Sequence, residues 1–111
     1  MCTFCKIARK ELTARIVAET EDLVAFHDIN PQAPTHLLVI PRKHISSLDA
    51  STDDDARILG RMLLLARTVA AQSGVEGGYR VVLNTGSSAG QSVFHIHVHV
   101  LGGRPMRWPP G

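Results

Sequence analysis

The chain has 111 residues, of which 44% are apolar and 20% charged, and its formal net charge is +2. That length supports one domain, residues 1–111, with a modest core, and the composition is that of a soluble globular protein rather than a disordered chain. So small a charge argues against a nucleic-acid surface while leaving small phosphorylated ligands open, and no apolar run approaches the roughly 18 residues of a membrane span.

Cys2 and Cys5 are the only cysteines and form a C-x-x-C pair. This excludes a disulfide framework and suggests a metal half-site or a redox pair. A thioredoxin-like redox pair needs a preceding strand, and none is expected here. No basic segment followed by a long apolar stretch marks a secretory signal, so the expected location is cytoplasmic. Phe4 to Lys10 predicts a short helical turn, with Phe4, Ile7 and Ala8 at helical spacing. Ile16 to Glu19 and Leu23 to Asp28 read as a hairpin turned at Glu21-Asp22. Pro31 and Pro34 then stiffen an ordered loop.

Thr35 to Ile40 is almost continuously apolar, which predicts a strand covered on both faces and ended by Pro41. Ser51-Thr52-Asp53-Asp54-Asp55 offers a hydroxyl cap and three carboxylates suited to a helix N-terminus, predicting a helix from Thr52 to Ser73. Its apolar stripe is Ile58, Leu59, Met62, Leu63, Ala66, Val69 and Ala70. Gly60 inside that helix costs about 1 kcal/mol relative to alanine and is expected to mark a close contact, while Gly74 is a natural stop. Tyr79 to Asn84 and Val93 to Leu101 are the fourth and fifth strands, joined by a glycine-serine loop. The tail from Arg104 to Gly111 is too rich in proline for regular structure, and Trp108 in it reads as an anchor on its own subunit or on a partner. The order predicts an α+β fold: a mostly antiparallel five-stranded sheet, one long helix and a short N-terminal helix.

The informative stretch is Val93 to Val100. His95, His97 and His99 alternate there with apolar residues, so on a strand the histidines share one face and Phe94, Ile96, Val98 and Val100 the other, buried one. Metal binding, phosphate chemistry and surface polarity compete as explanations. The outer histidines of such a strand lie roughly 13 Å apart, which disfavours a zinc held by all three. The adjoining loop, with Gly86, Gly90 and intervening serines, permits a nest of backbone N–H groups for an anion. It lacks a G-K-[ST] and is no P-loop.

His95-Ile96-His97-Val98-His99-Val100-Leu101 resembles the signature of the histidine triad (HIT) family of nucleotide hydrolases and transferases. Phe26-His27-Asp28-Ile29, Pro31-Gln32-Ala33-Pro34-Thr35-His36, Val39-Ile40-Pro41-Arg42-Lys43-His44-Ile45, Gly90-Gln91-Ser92-Val93 and Trp108-Pro109-Pro110-Gly111 look like its Hint branch, the purine nucleoside phosphoramidases. The resemblance spans nearly the whole chain. It implies a HIT-like fold and hydrolysis of the P–N bond of adenosine 5′-phosphoramidates through a nucleotidyl adduct on His97. By the same analogy, the backbone carbonyl of His95 and His36 behind it orient His97, while His99 donates to a phosphate oxygen. Gln91 and Ser92 lie beside the developing charge, with Ser92 also protonating the leaving amine, and Gly90 and Asn84 contact the nucleotide. Asp28 takes the ribose hydroxyls, and His27, Ile29, Phe4, Ile7 and Phe26 wall the purine. Thr3 stands where members of this branch often have an aliphatic residue. The resemblance also implies a homodimer and a structural zinc on Cys2, Cys5, His44 and His95 that the chemistry does not require. Two free thiols are the alternative. Competing functions are dinucleoside polyphosphate hydrolysis, which the related branch carries out with the same triad, and a nucleotide-binding interaction module.

Overall fold

A computed structural model describes residues 2–111. In chain order the elements are α1 (Thr3–Ala8), β1 (Ile16–Glu19), β2 (Leu23–His27), β3 (Thr35–Pro41), α2 (Ala56–Gln72), β4 (Tyr79–Val82) and β5 (Val98–Gly102). The strands form one antiparallel sheet in the order β1-β2-β3-β5-β4. The central position of β3 explains its unbroken apolar run. His36 to Pro41 are buried because neighbours cover them on both faces.

Two apolar layers sandwich the sheet. On one face Leu37, Val39, Val98 and Val100 meet Met62, Ala66, Val69 and Ala70 of α2. On the other, Val24, Phe26, Leu38 and Ile40 meet Phe4, Ile7 and Ala8 of α1. Period-2 alternation along β3 and β5 thus feeds two separate cores. α2 begins one turn later than its sequence suggests. Asp53–Asp55 form a 3₁₀ turn, and the Thr52 N–H donates to Asp55 Oδ2 at 2.9 Å. Asp55 is buried and ion-paired to Lys43 at 2.7 Å.

Four expectations are corrected. Strand β5 starts at Val98 rather than Val93, because Pro41 has no N–H to extend the ladder and its carbonyl accepts from the His95 side chain. Phe94 is accordingly half exposed, while the histidine side of this stretch is buried beneath α1. Leu63, expected in the core, points to solvent beside Leu64, and a Cβ on Gly60 would meet nothing within 4 Å, so no contact within the chain requires that glycine. Trp108, expected to anchor on its own subunit or on a partner, does not dock on its own chain and stays 82% exposed, although Arg80 Nη2 ties the tail to β4 by donating to the Arg107 carbonyl at 2.7 Å.

Candidate functional site

A cavity of about 690 Å³ opens between α1, the end of β2, the 29–36 loop and the strand that carries the histidines. Small-molecule sites commonly have this size. Phe4, Ile7, Phe26 and Leu38 make its apolar wall, and His27, Asp28, Ile29, Gly90, Ser92, His97 and His99 lie along its polar end and mouth. Leu12, Thr13 and Ala14, which carry no motif, also line it and escaped the sequence reading. They belong to the turn between α1 and β1, and only the folded hairpin brings them to the mouth.

The hydrogen bonds around the histidines fix where their protons sit. The His97 Nδ1–H donates to the His95 carbonyl at 2.8 Å. An imidazole that donates from Nδ1 and remains neutral keeps its lone pair on Nε2. Burial lowers the His97 pKa below 6.5, which favours that neutral form. The ring packs edge-on against Phe4, centroid to centroid 5.1 Å, which limits its rotation.

His99 is held by a different chain of bonds. The Gln32 backbone N–H donates to His36 Nδ1 at 3.0 Å, so the His36 proton sits on Nε2. That Nε2–H faces His99 Nδ1 at 2.9 Å and Asp28 Oδ2 at 3.3 Å. His99 therefore accepts at Nδ1 and carries its own proton on Nε2 as a donor. Burial, reinforced by His97 and His36, pulls its pKa down to about 4. His36 contacts His99 rather than standing behind His97, which corrects the expected relay.

Two further residues, and the loop between β4 and β5, are placed differently from expectation. Gln91 is buried and outside the cavity: its Oε1 accepts from the Gly86 N–H at 2.9 Å and its Nε2 donates to the Ser46 and Val93 carbonyls at 2.8 and 3.1 Å. Asn84 is also off the cavity lining and lies against Gly90, its Nδ2 3.8 Å from where a Cβ there would sit. The loop forms no open nest, because the N–H groups of Ala89, Gly90 and Gln91 are bound to the carbonyls of Gly86 and Ser87. Ser92 does line the cavity, and Asp28 is ordered by accepting from the Asn30 N–H at 2.8 Å.

His95 turns away from the cavity into a second cluster. Its Nε2–H donates to the Pro41 carbonyl at 2.8 Å, which leaves Nδ1 unprotonated. That Nδ1 lies 3.1 Å from Cys2 Sγ, 3.4 Å from Cys5 Sγ and 3.2 Å from His44 Nδ1. All four donor atoms fall within 4.8 Å of one another. Zn–N and Zn–S bonds of about 2.0 and 2.3 Å at tetrahedral angles place ligand atoms roughly 3.3 to 3.8 Å apart. The cluster fits a closed Cys₂His₂ zinc site after small adjustments. Burial and the adjacent Cys2 raise the Cys5 thiol pKa, a penalty that a divalent cation reverses by binding the thiolates.

The HIT domain family matches residues 9–106 of this chain. A HIT family hydrolase from Legionella pneumophila is 51% identical, with each chain covered in full and a TM-score of 0.98. A HIT family hydrolase from Clostridium thermocellum is 45% identical over 96% of this chain and 93% of its own, with a TM-score of 0.92. A 14 kDa zinc-binding protein of Zea mays is 53% identical over 97% of this chain and 86% of its own length. With its triad, its sheet order and its long helix accounted for, the chain belongs to the HIT domain family.

Proposed function

We propose that this protein is a nucleotidyl hydrolase that cleaves the P–N bond of purine nucleoside 5′-phosphoramidates, with His97 as nucleophile. The observation that carries the reading is the His97 tautomer: a buried, neutral imidazole whose Nδ1 is tied to the His95 carbonyl and whose Nε2 is left with its lone pair beside an apolar cavity. In the first step His97 Nε2 bonds to the α-phosphorus as the P–N bond breaks, and the departing amine takes the Ser92 hydroxyl proton, which solvent water replaces. The adduct places positive charge on the imidazole, and the Nδ1–H bond to the His95 carbonyl stabilises it. Water then attacks phosphorus and gives up a proton to solvent, the Nε2–P bond breaks with its electron pair returning to Nε2, and His97 is again neutral as nucleoside monophosphate leaves. The His99 Nε2–H donates to a non-bridging oxygen in both steps. Asp28 receives the ribose hydroxyls, and Phe4, Ile7, Phe26, His27 and Ile29 flank the base.

Charge favours this substrate class over dinucleoside polyphosphates. No lysine or arginine is among the described residues that line the cavity, and one carboxylate is. A single phosphoryl monoanion suits neutral imidazole donors, whereas a polyphosphate chain calls for cations. The relatives named as hydrolases agree with a hydrolytic role at the family level. The maize zinc-binding relative and the four converging donors support a structural zinc on Cys2, Cys5, His44 and His95. It would fix the orientation of His95 while leaving the phosphorus chemistry to the histidines. Thiol ligands suit a reducing compartment such as the cytoplasm. Homodimerisation completes the reading, supported by the exposed Leu63 and Leu64, the open side of Gly60, the undocked Trp108 and the free edge of β4.

The test is turnover of adenosine 5′-phosphoramidate and of diadenosine polyphosphate by wild type and His97→Ala. Cleavage of the phosphoramidate, abolished in the variant, is expected. Turnover of neither substrate sinks the enzyme reading, and unchanged turnover in His97→Ala sinks the nucleophile.

A further inference from the structure

Helix α1 has two duties packed into six residues. Cys2, its N-cap, and Cys5 point to His44 and His95, while Thr3, Phe4 and Ile7 line the cavity. Phe4 sits at the junction. Its ring is edge-on to His95 at 6.1 Å, to His97 at 5.1 Å and to Phe26 at 5.5 Å between centroids.

A helix this short does not hold its shape alone, since isolated helices below about 12 residues are marginal. At its C-terminal end Arg42 Nη1 donates to the Ala8 carbonyl at 2.7 Å, and along its middle Phe4, Ile7 and Ala8 are buried. At its N-terminal end the two cysteine side chains join the Phe4 ring as the ties to the rest of the fold. Whatever draws the four donors together therefore also sets the position of the cavity wall.

We propose that zinc and nucleotide bind this chain cooperatively, with α1 as the coupling element. Fastening Cys2 and Cys5 to His44 and His95 holds Thr3, Phe4 and Ile7 where they wall the base. A nucleotide seated against that wall in turn holds the cysteines at the metal site. The inference rests on the nucleotide and zinc readings above and adds the link between them. Two sites coupled in this way must change each other's affinity by the same factor.

The experiment uses the intact chain. AMP binding is measured by calorimetry on zinc-loaded and chelator-stripped protein. The zinc dissociation constant is measured by chelator competition with and without saturating adenosine, which carries no phosphate to chelate metal. Hydrogen exchange follows residues 2–10 and the sheet. On zinc removal AMP should weaken by about 10-fold, within the usual span of coupling between sites. Adenosine should tighten zinc, and faster exchange should be confined to residues 2–10 and reversed by zinc. In Ile7→Ala, which trims the wall, the effect of zinc on AMP affinity should shrink towards none.

AMP affinity unchanged by zinc, or zinc affinity unchanged by adenosine, overturns the coupling and leaves the nucleotide reading standing. Absence of AMP binding to the zinc-loaded protein overturns both. Failure of the protein to bind zinc overturns the coupling and the zinc reading. Faster exchange throughout β2, β3 and β5 would mean that the metal supports the whole fold, and α1 would lose its special part.

Discussion

His36 Nε2 and His99 Nδ1 lie 2.9 Å apart, and that contact decides what His99 can do. The Gln32 N–H occupies the other His36 nitrogen, so the shared proton belongs to His36 and the His99 proton is directed elsewhere. His36→Ala should therefore leave His99 free to exchange tautomers. Loss of an oriented donor costs on the order of 100-fold in rate, so kcat should fall by about that factor and AMP affinity should fall with it, because His36 lines the cavity beside Asp28, while zinc content holds. Steady-state kinetics on the phosphoramidate, with metal analysis, checks this. A kcat within twofold of wild type would show that the contact has no bearing on turnover.

The same burial that keeps the histidines neutral gives a pH signature. His97 is the group whose protonation removes the nucleophilic lone pair, and its folded pKa lies below 6.5. The acid limb of kcat/KM should accordingly fall with a midpoint below 6.5, and activity should be level from there through neutrality on this account. His99, held near 4, stays an uncharged donor across that range. A limb centred at or above 6.5 would contradict the burial of His97.

Stability follows with the sign set by linkage. His27, His36 and His99 have folded pKa values below the ordinary 6.5, each chiefly through burial, so below pH 6.5 the unfolded chain binds more protons than the folded one. Their contribution is complete above 6.5 and is lost progressively as pH falls from 6.5 towards 4. The melting temperature should decline over that window. His99→Gln, which cannot take up a proton there, should show a shallower decline than wild type.

Much of this was legible in the sequence. The period-2 apolar pattern and central β3 gave the sheet, and the His-x-His-x-His spacing located the site. The parts that were not legible depend on where side chains turn once strand geometry is abandoned. Regular alternation alone would put His95 with His97 and His99, and the family resemblance instead sets it beside Cys2 and Cys5; what no local pattern carries is the reason it turns there, the Pro41 carbonyl that accepts from its ring. The family resemblance puts Gln91 beside the developing charge. It instead bridges its own loop, at Gly86 and Val93, to the distant Ser46 carbonyl, and that last bond is a long-range fact that no local pattern encodes.

Gln91 therefore makes a stability prediction rather than a catalytic one. Gln91→Ala strands the Gly86 N–H and the half-buried Ser46 and Val93 carbonyls, and each lost partner costs about 1 kcal/mol or more. The expected loss is about 2 to 4 kcal/mol in urea unfolding. KM should rise with it, because Gly90 and Ser92 flank the site on the same loop. A variant as stable as wild type would show that the loop holds its shape without the Gln91 bridge.

The remaining prediction concerns the outer face of α2. Gly60, Leu63 and Leu64 fall on one side at i, i+3 and i+4. Leu63 and Leu64 are 53% and 52% exposed, and the space over Gly60 is open. A glycine that costs helix stability and relieves no contact in its own chain fits a face approached closely by another helix. A second copy of the chain would bring its own Leu63 and Leu64 to the same place, since a twofold contact pairs a patch with itself. Leu63→Glu combined with Leu64→Glu should convert a dimer in sedimentation experiments to a monomer while the isolated fold keeps its circular dichroism spectrum. Placing four carboxylates against one another in the twofold contact is the reason. A wild type that sediments as a monomer at high concentration would leave this apolar face without the partner proposed for it.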